Sequence, residues 1–197
     1  HGNAVRRIAR HLRGTRDKGV YLNLKDENFE VWADADFSGN WNPEEAEYDP
    51  DTARSRSGCI ITYLGAPIMW KSQLQTIITC STTESEYVCL SQALRKVLPI
   101  MELVKEMKSY GFNVGSTKPV VKCKLFEDNS GAIALANAPA MRPRTKHINI
   151  SYHHFRTHIG VTVDIQPVET ENQCADMLTK ANKTDDFLRH RKKVMGW

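Results

Sequence analysis

The chain has 197 residues, 41% hydrophobic and 25% charged, with a net charge of +4. Such a chain can bury one sizeable core without a disulfide or metal staple, and it holds no apolar run near the ~20 residues of a membrane span. Its five cysteines, Cys59, Cys80, Cys89, Cys123 and Cys174, are odd in number and form no CxxC, so they read as reduced, mostly buried residues rather than a metal site.

The opening HGNAVRRIAR lacks the apolar centre of a signal peptide, and the missing initiator Met fits a fragment of a longer chain. Val5, Ile8, Ala9 and Leu12 recur at helical spacing, with Arg6, Arg7, Arg10 and Arg13 largely off that stripe and Gly14 as a stop. Two readings stand: an amphipathic helix that docks on its own domain or a neighbour, or an arm that contacts phosphate.

Strand signals follow at Phe29–Asp36 and at Gly58–Leu64. After the Leu64–Pro67 corner comes Ile68–Lys71, which Thr76–Cys80 extends or follows. Three early strands with short connections predict an antiparallel meander. The polar stretch Asn40–Ser57 reads as a solvated loop. Tyr87, Leu90, Leu94, Val97, Leu98, Met101 and Val104 then form the stripe of a long helix, capped by Ser81, Thr82 or Thr83. Pro99 should kink or divide it.

A strand over Val120–Phe126, a short helix over Gly131–Asn137, a helical Ser151–Ile159, a strand over Val161–Val168 and a helix over Glu171–Lys180 capped by Thr170 complete the series. Strands first in a meander, then alternating with helices, predict a mixed sheet with helices packed on it. The chain divides into residues 1–20, a basic amphipathic segment; 21–181, the main domain; and 182–197, a basic tail that either binds or frays.

Acidic residues occupy unexpected places. Asp34 and Asp36 lie on one face of the first strand with Trp32, although Asp is depleted inside strands. Glu84 and Glu86 open the long helix roughly 200° apart, so only one can face a given site. Glu86 lies about 60° from the centre of the apolar stripe and Glu84 about 100° away, which makes Glu86 the sheet-facing candidate and Glu84 a solvated charge. Asp128 sits at a strand-to-helix turn, where α/β sheets bind ligands, or else caps the helix that follows. Asp176 lies in the last helix. Convergence of such a set would demand divalent cations, and oxygen-only ligation suits Mg²⁺ or Mn²⁺. Two such ions can clamp the attacking and leaving oxygens of a phosphoryl displacement.

The strings ADADFSG, SRSGCIITYLGAPIMWKSQLQ, STTESEY, EDNSGAIALA, RTKHINISYHHFR and ENQCADMLTK, in that order, resemble the ribonuclease H domain of copia-type retrotransposon polyproteins. The resemblance runs from about Val20 to about Lys180. Residues 1–20 look like the segment that joins reverse transcriptase to ribonuclease H in those polyproteins. It implies a ribonuclease H-like α/β fold with a five-stranded mixed sheet flanked by helices. It also implies a catalytic, metal-holding set of Asp34, Glu86, Asp128 and Asp176, with Asp36 where a small polar residue is usual. The implied activity is two-metal hydrolysis of the RNA strand of RNA/DNA hybrids, with two Mg²⁺ that Mn²⁺ can replace, giving 5′-phosphate and 3′-hydroxyl ends. The implied partners are the hybrid and the reverse transcriptase of the same polyprotein. The implied setting is intracellular, in a virus-like particle, with no membrane role and a monomeric excised domain.

Backbone groups around Ser38–Asn40 and Thr82–Thr83 are candidates to read the RNA 2′-hydroxyl, from which Glu86 could also accept, and Arg142, Arg144 and Lys146 form a basic cluster that either holds phosphates or is an ordinary solvated loop. Many cellular ribonucleases H carry a histidine in the loop before the last Asp; Val168–Asn172 has none, and His147 is the substitute to test first, its alternative role being a structural hydrogen bond. The competing classes are an integrase-like or transposase-like DNA-processing domain and a non-catalytic hybrid-binding remnant.

Overall fold

The computed structural model describes residues 2–22, 28–114, 120–139 and 150–197. Five strands form one sheet in the order β3-β2-β1-β4-β5. The strands are β1 Phe29–Asp36, β2 Arg56–Tyr63, β3 Ala66–Leu74, β4 Cys123–Glu127 and β5 Val163–Pro167. β1, β2 and β3 pair antiparallel, while β4 and β5 extend the sheet in parallel on the other side of β1. The expected mixed sheet is therefore present.

The β2–β3 corner is a two-residue turn at Leu64 and Gly65, both with positive φ (54° and 81°), which matches the twist of antiparallel strands. β3 thus starts at Ala66, two residues earlier than the apolar run predicted. Thr76–Cys80 forms no strand, because this stretch leads into the cap of the long helix.

α2 runs unbroken from Thr82 to Ser109, with Ser81 as its N-cap. Pro99 does not divide it: it lies on the exposed face, where water can replace the missing backbone donor. The predicted stripe lies against the sheet, with Tyr87, Leu90, Leu94 and Val97 all completely buried. Each such side chain contributes about 1.5–3 kcal/mol through burial. This face of the sheet presents Phe29, Val31, Ala33 and Ala35, and it joins α2, α3 (Ser130–Asn137) and the 3₁₀ helix Ile150–His158 in the main core. Tyr152 and Phe155, three residues apart, share one side of the 3₁₀ turn and insert together.

The opposite face carries a smaller cluster. Trp32 and Ile60 meet Cys174 and Ala175, just before α4 (Asp176–Thr179). The expected continuous helix Glu171–Lys180 is instead a 3₁₀ turn, Thr170–Asn172, whose N-cap position Glu169 makes no side-chain cap bond, followed by α4. Residues 182–197 are not frayed: α5 (Thr184–Met195) packs here, with His190 buried and Lys193 Nζ 3.8 Å above the Trp32 ring. Trp197 Nε1 donates to Gly19 O at 2.6 Å and the Tyr21 N–H to Met195 O at 3.0 Å, tying the C-terminal segment to the stretch just before β1. α1 (Gly2–Gly14) buries none of its residues, so its Val5, Ile8 and Leu12 stripe is exposed.

Candidate active site

β1 and β4 pair from Phe29/Cys123 to Trp32/Phe126 and then part. Into the split reaches Gln173, fully buried, whose Nε2 donates to Ala33 O (2.8 Å) and Phe126 O (3.4 Å). Asp34 lies on β1 just past the split, Asp128 follows the end of β4, and Gln173 holds the segment that leads into Asp176. Glu86 projects from the second turn of α2. One oxygen each from Asp34, Glu86 and Asp128 lie within 4.8 Å of one another. Asp34, Glu86 and Asp176 are buried; Asp128 is partly open.

Asp176 stands beside this group rather than in it, with its Oδ1 2.9 Å from Lys180 Nζ. Thr179, in the same turn, donates its hydroxyl to Asp34 Oδ2. The cap at the start of α3 belongs to Asn129, which accepts from the Ala132 N–H at 3.0 Å, and this leaves Asp128 free of the capping role.

The charges are strained by burial. Removal from water raises Asp34 to about 7, against a lowering by the Thr179 hydroxyl, with Asp176 raising it further. Burial, then the charges of Glu127, Asp34 and Asp128, push Glu86 up to about 11. Glu86 Oε2 is buried with no hydrogen-bond partner. Oxygen-only donors from three elements with an orphaned carboxylate oxygen among them fit a hard divalent cation.

Two neighbouring acids were not placed correctly by the sequence reading. Glu84 is buried rather than solvated: its Oε2 accepts from the Cys80 N–H at 2.8 Å, while Ser81 Oγ accepts from the Glu84 N–H at 3.2 Å. This is a reciprocal cap, in which the chain before the helix folds over the carboxylate. Glu127, not singled out in the sequence, is fully buried; one oxygen accepts from the Asn129 N–H at 3.0 Å and the other has no partner. Its alternation with Cys123 and Leu125 on the core face was the available signal. Gln173 and Thr179 gave no such signal. Lys180 did, through its i,i+4 spacing from Asp176.

Ser38, in the left-handed region (φ 49°), donates its hydroxyl to Ala53 O at 2.9 Å and its N–H to Ser55 Oγ at 3.3 Å. Its polar groups thus hold the loop after β1. Asn40 is exposed on that loop, Thr82 is exposed at the start of α2 and Thr83 is half-buried. Arg144, Lys146 and His147 lie outside the described residues.

The chain is 32% identical over 197 residues to the retrovirus-related Pol polyprotein from transposon RE2 of Arabidopsis thaliana, an alignment covering 98% of this chain and 12% of the polyprotein. It is 29% identical over 188 residues to that from transposon TNT 1-94 of Nicotiana tabacum, covering 95% and 13%. Among solved structures it is similar to LC11-RNase H1, isolated from compost (TM-score 0.52, 14% identity, 78% of this chain and 93% of that chain). It is also similar to the N-terminal RNase H domain of rv2228c from Mycobacterium tuberculosis (TM-score 0.50, 12% identity, 85% and 98%).

The chain is homologous to copia-type Pol polyproteins and has the ribonuclease H fold.

No family model matches the chain. This ribonuclease H-like domain spans only about one eighth of the length of its polyprotein relatives, by the 12% and 13% coverage above. LC11-RNase H1 has also been solved in complex with an RNA/DNA hybrid, and that structure resembles this chain with a TM-score of 0.50 at 14% identity over 77% of it. Among the described residues, no helix is long and apolar enough to cross a membrane.

Proposed function

We propose that this domain hydrolyses the RNA strand of RNA/DNA hybrids within a retrotransposon polyprotein, alongside a reverse transcriptase. The observation that carries the reading is the meeting of Asp34, Glu86 and Asp128 oxygens within 4.8 Å at the split between β1 and β4. The fold and the polyprotein relatives support it.

Asp34, Glu86 and Asp128 would hold divalent ions, with Asp176 as the outer ligand; Mg²⁺ or Mn²⁺ bound there supplies an activated water and charge stabilisation for the departing 3′ oxygen. The protein's own part is placement. Asp34 and Asp128 approach from the two strands that flank the split, and Glu86 from α2. Thr179 fixes the Asp34 carboxylate by donating to it. Gln173 holds the approach to α4 against both strands. Choice of RNA rests on the 2′-hydroxyl. Ser38 is engaged within its own loop, so the exposed Asn40 side chain and the N-terminal turn of α2 at Thr82 and Thr83 are the better readers.

The test is a labelled hybrid incubated with the protein in Mg²⁺, in Mn²⁺ and in EDTA, beside duplex DNA. Hybrid cleavage in metal only, leaving 5′-phosphate ends, is the expected result. Asp34→Asn, Glu86→Gln and Asp128→Asn should each abolish it in a folded protein, and Asp176→Asn should be milder because water can replace an outer ligand. Joining or cutting of DNA ends in place of hybrid cleavage would make this an integrase-like domain. Hybrid retained in EDTA with no turnover in metal would make it a binding module.

A further inference from the structure

Lys180 carries charge into a site where a cation is expected to bind. It lies one helical turn after Asp176, with Nζ 2.9 Å from Asp176 Oδ1. The carboxylate is nearly enclosed, its side chain 9% exposed, while the lysine side chain is 44% exposed and has room to swing away. Among the described residues no other cation pairs with any of the four carboxylates. Asp176 is also the one member of the four that stands outside the tight oxygen group. The oxygen nearest the ammonium is one a divalent ion would need, and two cations cannot share it without strong repulsion.

We propose that Lys180 is an internal competitor for metal: it occupies Asp176 in the metal-free protein, so a divalent ion engages Asp176 only by releasing the ammonium. This rests on the metal-holding role given above to the carboxylates. The geometry requires it to act in one direction. A lysine that merely braced the end of α4 would leave metal affinity unchanged or lower it when removed. A competitor raises affinity when removed. Its backbone contribution, an N–H donated to Asp176 O at 3.1 Å, survives any side-chain substitution.

The experiment is Mn²⁺ titration of the full chain without nucleic acid, read by calorimetry or by the spin-resonance signal of free Mn²⁺. Lys180→Gln should bind Mn²⁺ roughly three- to thirtyfold more tightly, the scale of removing one nearby charge that solvent partly screens. Lys180→Arg, which keeps the charge, should stay near wild type. In an Asp176→Asn background the gain from Lys180→Gln should fall to less than half of its logarithmic value, since the competed oxygen is gone. The Mg²⁺ concentration giving half-maximal hybrid cleavage should drop in step for Lys180→Gln. Unchanged or weaker Mn²⁺ binding by a folded Lys180→Gln would overturn the proposal, as would a gain of equal size in the Asp176→Asn background. A wild-type chain that binds no Mn²⁺ would overturn both this proposal and the metal-holding site. One that binds Mn²⁺ but cleaves no hybrid would overturn only the substrate reading.

Discussion

If the buried carboxylates hold protons in the metal-free protein, divalent-ion binding must expel them, and affinity must climb with pH. Burial raises Asp34 to about 7 and, with help from Glu127, Asp34 and Asp128, Glu86 to about 11. Both pKa values stand above those of the unfolded chain, so the metal-free fold retains protons that the unfolded chain has lost. Its stability is therefore greatest in acid and declines as pH rises from about 4 through about 7 for Asp34, and further upward for Glu86. Metal reverses that sign, because only the ionised carboxylates ligate. Below about pH 7 each binding event displaces about two protons, one from each group, and log apparent affinity should rise by about two per pH unit. Above it only the Glu86 proton remains, and the slope should fall to about one. Calorimetric Mg²⁺ or Mn²⁺ titrations from about pH 5.5 to about pH 8.5 measure this slope, and buffers of different ionisation enthalpy count the protons independently. The rise in melting temperature on adding Mg²⁺ should grow over the same interval. A slope below about one half between about pH 6 and pH 7, with no proton release, would refute the reasoning, since the site would already be ionised without metal.

Glu84→Gln should leave hybrid cleavage within a few-fold of wild type and lower stability by about 1 kcal/mol in thermal denaturation, because Glu84 serves the helix cap; loss as complete as for Glu86→Gln would place Glu84 in the site. Gly58→Ala should cost about 1–3 kcal/mol and weaken metal binding. A Cβ there would stand 2.9 Å from Leu178 Cβ and 3.1 Å from Ala175 O, forcing the α4 segment off β2, and an unchanged melting temperature and Mn²⁺ affinity would show that α4 yields freely. Replacing Arg144 and Lys146 together by Ala should flatten log hybrid affinity against log salt by about one to two units, equally for unrelated sequences, in fluorescence anisotropy. An unchanged slope would move the phosphate contacts to the arginines of α1 or the basic face of α5.

The features legible in the sequence were those set by local periodicity. β1 runs from Phe29 to Asp36 as read, because its alternation places Val31, Ala33 and Ala35 on the core face and Trp32 and Asp34 on the other. The stripe of α2 likewise fixed which face Glu86 shares with the sheet. Features that depend on distant chain were not legible. Glu84 is buried because residues before the helix fold back over it, which no helical angle encodes. Gln173 is a neutral side chain whose role exists only because β1 and β4 part beside it. α5 read as a basic tail because its contacts come from distant chain: Val194 packs against the cluster around Trp32, Lys193 lies over the Trp32 ring and Phe187 meets His11.

The spacing of the carboxylates follows from small residues packed beneath them. Ala33 and Ala35 on β1 and Cys59 on β2 line the face that α2 covers. Cys89 therefore comes close enough for its thiol to donate to the carbonyl of Asp34 at 3.1 Å and to that of Gly58 at 3.4 Å. Glu86 lies three residues before Cys89 on the same helix face. The depth at which Cys89 seats thus sets how far the Glu86 carboxylate stands from that of Asp34. On the other face Gly58 performs the same service for α4, whose Leu178 and Thr179 sit where its Cβ would be. α2 and α4 pack on the sheet from opposite sides at one register, Asp34 opposite Gly58. The small residues at this crossing let Glu86 of α2 meet Asp34 of β1 and Asp128 just after β4, with Asp176 of α4 beside them, so the placement of the charges is a property of the packing below them.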